Sequence, residues 1–120
     1  MNIKLFDSEL KVMEVLWKEG DLPAKTISEI LGKLIGWNKN TTYTVIKKCV
    51  EKGAIERQEP NFICHALVSK EDVQCSEIDE LVDKLFDGST ELLFASLVGH
   101  KKLPDNMIEK LRHIVGGEHQ

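Results

Sequence analysis

Between Trp37 and Ile55 the chain reads W-N-K-N-T-T-Y-T-V-I-K-K-C-V-E-K-G-A-I, a stretch whose functional side chains are hydrogen-bonding and cationic rather than nucleophilic. An Asn amide can pair bidentately with adenine, and a Thr methyl can pack on the methyl of thymine. Lys and Arg serve instead to neutralise phosphates. At helical spacing Asn40, Thr41 and Thr44 share a face with Lys47, flanked by Tyr43 and Lys48. Asn40, Thr41, Tyr43 and Thr44 are therefore the candidates for contact with base edges, and Asn38, Lys39, Lys47, Lys48 and Arg57 for contact with phosphates.

The other reactive pair is Cys64-His65. Zinc wants four ligands in tight local pairs, and the nearest further candidates, Cys75 and His100, are distant in sequence. A nucleophilic Cys/His pair would need a third, orienting group, which the sequence does not offer. No paired-carboxylate, phosphate-loop or triad arrangement is present either. No metal, cofactor or enzymatic activity is expected. Three cysteines without a C-x-x-C pairing do not make a disulfide framework. Cys49 reads as a core residue, and His65 as packing at the end of a strand.

These side chains need elements to hold them. In the third helix Asn38 can cap through the amide of Asn40 or Thr41. Val45, Ile46, Cys49 and Val50 form its buried stripe, and Gly53 stops it. Upstream, Ser8 to Glu19 predicts a helix capped by Asp7 or Ser8 and ended by Gly20. After a turn at Asp21-Leu22, Pro23 fits the first position of a second helix through Ile27, Ile30 and Leu31. Downstream, Ala54 to Glu59 and Phe62 to Val68 predict two strands joined at Pro60-Asn61. Two helices before a polar-faced third, then a hairpin, is the winged helix-turn-helix order.

Several motifs in this order resemble the penicillinase-repressor (BlaI/MecI/CopY) family over residues 5 to about 115. They are L-x-x-x-E-x-x-V-M-x-V-L-W (Leu5 to Trp17), L-P-A-K-T-I (Leu22 to Ile27), W-x-x-x-T-x-x-T (Trp37 to Thr44) and E-K-G-A-I (Glu51 to Ile55). L-V-S-x-E-D (Leu67 to Asp72), F-x-G-S (Phe86 to Ser89) and K-L-P-x-x-x-I-x-x-L (Lys102 to Leu111) follow. The resemblance implies a homodimeric repressor of transcription that binds a palindromic operator in double-stranded DNA. In the β-lactam branch a membrane sensor protease cuts an Asn-Phe bond. Ser96-Leu97 stands there in this chain, so the resemblance carries a sensor protease over as a partner only weakly. The copper-responsive branch ends in C-x-C pairs, whereas no cysteine follows Leu103.

The remaining residues predict three further helices. Ser69 and Asp72 resemble a capping box, Asp87-Gly88 breaks the first helix, Ser89 caps the second, and Pro104 opens the third. Fifty-odd residues can hardly build a core of their own, since even ~60 residues is marginal. Their apolar stripes therefore predict burial against a second copy, with Ile78, Leu81, Val82, Leu85, Phe86, Leu93, Leu97, Leu111 and Ile114 as the dimerisation residues.

The fold expected is mainly α with a small β-hairpin: a winged-helix DNA-binding domain over residues 1–68 and a helical dimerisation domain over 69–120. The net charge is −4, but the first 68 residues hold 10 Lys/Arg against 9 Asp/Glu, while 69–120 hold 6 against 11. The acidity thus lies away from the polar-faced helix. No apolar run approaches the ~18 residues of a membrane span, and there is no signal-peptide core, so a cytoplasmic protein without a membrane partner is expected. The alternative reading is a winged helix used for protein–protein contact, which the acidic total mildly supports.

Overall fold

The computed structural model describes residues 3–118, with 111, 112 and 114–118 described by backbone alone. The order is α1 (Asp7–Glu19), β1 (Leu22–Pro23), α2 (Ala24–Ile35), α3 (Lys39–Glu51), β2 (Ile55–Gln58), β3 (Ile63–Ala66), α4 (Lys70–Leu85), α5 (Thr90–Gly99) and α6 (Asp105–Glu118). The chain divides into compact units Met1–Glu77 and Ile78–Gln120, a boundary that falls inside α4.

In the first unit α1, α2 and α3 pack around Val12, Met13, Leu16, Ile27, Leu31, Ile46 and Cys49, all buried. The sheet closes one side of this core. Its order is β1-β3-β2, with both pairs antiparallel and Ile55 opposite Ala66, Arg57 opposite Cys64. The hairpin is as expected, but it has a third strand. Leu22 and Pro23, read from sequence as a turn and a helix start, pair instead with Cys64 and Ile63. Proline tolerates this edge position because the strand is only two residues long, and its fixed φ of −62° then serves as N-cap to α2.

Helix α1 also starts differently. Phe6, not Asp7 or Ser8, is its N-cap; it offers no capping side chain, and the buried Glu9 supplies the reciprocal half of a capping box. Glu9 Oε1 accepts from the Phe6 amide at 2.7 Å and from Lys52 Nζ at 2.6 Å. The Lys52 ammonium also donates to the Lys4 carbonyl and lies 4.1 Å from the centre of the Phe6 ring. Trp17 Nε1 donates to the Val68 carbonyl at 2.9 Å, fastening α1 to the segment that leaves the sheet.

In the second unit the helix boundaries follow the expected punctuation. Ahead of it, Ser69 Oγ accepts from the Asp72 amide while Asp72 Oδ2 accepts from Ser69, so the box closes with Asp in place of Glu. Asp87 and Gly88 both take positive φ between α4 and α5, and Ser89 Oγ accepts from the Leu92 amide. Of the expected pairing residues, Val82 is buried, Phe86, Leu93 and Leu97 are half-buried, and Ile78, Leu81 and Leu85 are exposed. The side chains of Leu111 and Ile114 lie outside the described residues.

Candidate nucleic-acid interface

Helix α3 is built to be oily on one side only. Thr42, Val45, Ile46 and Cys49 are buried, at the i, i+3, i+4, i+7 spacing of one helical face. The Thr42 hydroxyl survives burial by donating to the Asn38 carbonyl at 3.3 Å. Rotated away from them, Asn40, Thr41, Thr44, Lys47 and Lys48 are all exposed and form a continuous row along the helix.

The two ends of α3 are fixed by local chemistry. At the start, Asn38 Oδ1 accepts from the Thr41 amide at 2.8 Å, one of the two expected acceptances. At the far end Gly53, at φ +83°, lets its amide bond the Val50 carbonyl and lets Ala54 reach that of Cys49. This double bond pattern satisfies the last carbonyls and turns the chain straight into β2.

Hydrogen bonding sorts the row by role. The exposed Thr44 donates its hydroxyl to the Asn40 carbonyl at 2.8 Å, which commits its proton and leaves its methyl and the oxygen's lone pairs for other contacts. Asn40 and Thr41 stand exposed in the first turn, where no acidic side chain occurs. Tyr43 is only half-exposed. Its ring meets Phe62 edge-to-face with centroids 6.0 Å apart, and Lys39 Nζ lies 5.7 Å from its centre. It is thus tied to the hairpin as well as to the exposed row.

Arg57 lies on the hairpin, with its guanidinium carbon 3.8 Å over the Phe62 ring and Nε donating to Glu59 Oε1 at 2.6 Å. That hydrogen bond first, and the Phe62 amide second, hold the Glu59 carboxyl below the usual carboxylate range. The hairpin tip therefore carries a partly neutralised cation.

Cys64 and His65 diverge, as neighbours on a strand must. Cys64 is buried, whereas His65 reaches Asp21 Oδ1 through Nδ1 at 2.8 Å. Burial pushes the Cys64 thiol up to about 11, and the Cys49 thiol, with Glu9 adding to the effect, up to about 12. Among the described residues no three His, Cys, Asp or Glu side chains gather as a metal site would require, and no helix is long and apolar enough to cross a membrane. Ser96 and Leu97 lie within α5.

Three helices, a short sheet and an uncovered third helix define a winged helix-turn-helix protein. The sequence profile described as Penicillinase repressor matches residues 5–116, and the chain belongs to that family of DNA-binding repressors. A solution structure of the DNA-binding domain of the repressor BlaI is similar in fold, with a TM-score of 0.55 at 24% identity, covering 60% of this chain and 90% of that one. No curated protein matches the chain.

Proposed function

We propose that two copies of the chain pair through residues 69–120 and set their α3 helices into successive major grooves of a palindromic operator, silencing the promoter it overlaps. In this reading Asn40, Thr41, Tyr43 and Thr44 meet base edges, and Asn38, Lys39, Lys47, Lys48 and Arg57 meet phosphates, with first-turn amides of α3 assisting. The repressor acts in the cytoplasm, where its operator lies.

The observation that carries the reading is the uncovered row from Asn40 to Lys48 on a helix whose opposite side is the core of the unit. Support for pairing comes from the second unit, where α5 has no buried residue and Leu92, Phe94 and Val98 are exposed along with Met107 of α6. Pairing also answers an energetic need. One small module buries only about 600–1,000 Å² on DNA, and a second copy adds effective concentration.

Selection of bound sequences from random duplexes, followed by a salt titration, tests this. The expected result is a two-fold symmetric motif with half-sites about 34–36 Å or a multiple apart, bound with an affinity that falls steeply with salt. Recovery of no motif, with binding indifferent to salt, would favour a protein-contact role.

A further inference from the structure

Between α3 and the hairpin lies a cleft of about 330 Å³, lined by Tyr43, Lys47, Val50, Arg57 and Phe62. Its size falls in the range of small-molecule sites, about 300–1,000 Å³, and its composition is that of one: apolar and aromatic walls with a few convergent polar groups. The walls are set by contacts already described. Phe62 is held edge-to-face by Tyr43 and covered by the Arg57 guanidinium, which Glu59 fixes through Nε.

We propose that this cleft binds a small planar aromatic carboxylate, its ring against Tyr43, Val50 and Phe62 and its carboxylate between Lys47 and Arg57, and that this occupant displaces DNA. A ring is favoured because two aromatic side chains and a valine face the space, surfaces that lose nothing by leaving water together. An anion is favoured because two cations line the cleft while one carboxylate, that of Glu59, answers them. Arg57 spends its Nε on Glu59, and a guanidinium has further donors for a second carboxylate. A sugar–phosphate backbone shares the negative charge but presents no flat apolar ring, so duplex DNA does not fill the cleft in the same way.

The second half of the proposal rests on the DNA-binding reading. Tyr43, Lys47 and Arg57 belong both to the cleft and to the proposed DNA face, so an anion seated there neutralises two phosphate-binding cations and occupies space beside the helix. Linkage then requires that DNA weaken the ligand by the same factor that the ligand weakens DNA.

Titration of the full chain with 2-naphthoate and with neutral 2-naphthamide, followed by NMR of the aromatic and Arg57 Nε resonances, tests the site. Naphthoate is expected to move Tyr43, Phe62 and Arg57 signals and to bind at least tenfold more tightly than the amide. K47Q should cost the acid about tenfold while leaving the amide unchanged. R57Q, which also uncovers Phe62, should cost the acid about tenfold more than it costs the amide, with an unaltered thermal melt showing the fold intact. Equal affinity for the two probes, or shifts clustered elsewhere, overturns the site. Naphthoate should also release a mixed-sequence duplex from the chain, with an apparent DNA affinity that falls as the probe saturates. Binding in the cleft with DNA retained overturns the displacement. If the chain ignores DNA altogether yet takes naphthoate as described, the cleft stands and the repressor reading fails.

Discussion

The Glu9 carboxylate and the Lys52 ammonium stand 2.6 Å apart, one in the first turn of α1 and the other just past the end of α3. Glu9 is 1% exposed, so its charge has little access to water and depends on Lys52 and on the Phe6 amide. The pair joins the start of the chain's first helix to the exit of the helix that carries the exposed row. Orientation of that row therefore depends on an ion pair remote from it.

Removing only the lysine should be the harsher change. K52M leaves a buried carboxylate with, among the described residues, the Phe6 amide as its donor and is expected to lower stability by about 3 kcal/mol, since stranding one member of a buried pair costs roughly 3–5 kcal/mol and Lys52 is itself partly wet. E9Q keeps an acceptor for Phe6 and carries no buried charge, so it should cost about half as much. Urea melts of the two variants check the order; a milder K52M would show that the carboxylate finds water.

Much of this arrangement is legible in the sequence. The polar row and most of the buried stripe of α3 follow from period, although Thr42 is buried in place of the expected Val50, which is half-buried. Asn38, Gly53, Ser69 and Ser89 mark element ends through chemistry that acts within a few residues. What period and punctuation do not reveal is long-range pairing. Leu22-Pro23 is a strand only because β3 lies beside it, and Glu9 looks like an ordinary first-turn acid until Lys52 arrives from 43 residues away. The same holds for Tyr43, whose place in the exposed row is qualified by Phe62, 19 positions later and on another element.

Thiol chemistry should separate the three cysteines. Iodoacetamide is expected to add once to the folded chain, at exposed Cys75, and three times after denaturation, because Cys49 and Cys64 are buried and held protonated. Their raised pKa values also set an alkaline limit. The unfolded thiols ionise near ~8.5, so the stabilising contribution is complete below that pH. It is lost as pH rises through about 11 for Cys64 and about 12 for Cys49, at up to ~1.4 kcal/mol per pH unit for each thiol. Mass spectrometry and melts between pH 7 and 11 check both; a second fast adduct would show that one of the buried thiols opens to solvent.

Gly53 should be replaceable only at a cost, and the cost should be conformational. A Cβ added there meets nothing within 4 Å, but φ is +83°, where L side chains are disfavoured. G53A is expected to lose about 1–2 kcal/mol, whereas G53N, with a side chain more at ease in that region, should lose less. Thermal melts giving equal losses for the two would point to some other role for this turn.

Base contact and phosphate contact predict different signatures. N40A and T41A should each cost about 1–3 kcal/mol on a selected operator and little on random duplex, relaxing base preference. K48A should weaken all duplexes alike and lower the salt slope by about one. Competition titrations on both kinds of DNA measure this, and equal losses on both for N40A would move Asn40 to the phosphate group.

Thr44 permits a finer test, because its hydroxyl proton is already donated to the Asn40 carbonyl inside the helix. What it offers outward is chiefly a methyl group, the complement of a thymine methyl rather than of a hydrogen-bonding edge. T44V keeps that methyl and gives up only the intrahelical bond, so affinity for the operator should change little. T44S keeps the bond and loses the methyl, and should cost about 0.8 kcal/mol, the worth of one buried carbon. The two variants thus exchange places depending on which atom touches DNA. Should T44S bind normally while T44V fails, Thr44 reads its base by hydrogen bonding instead, either accepting from a base amino group with the Asn40 bond kept or turning its proton away from Asn40.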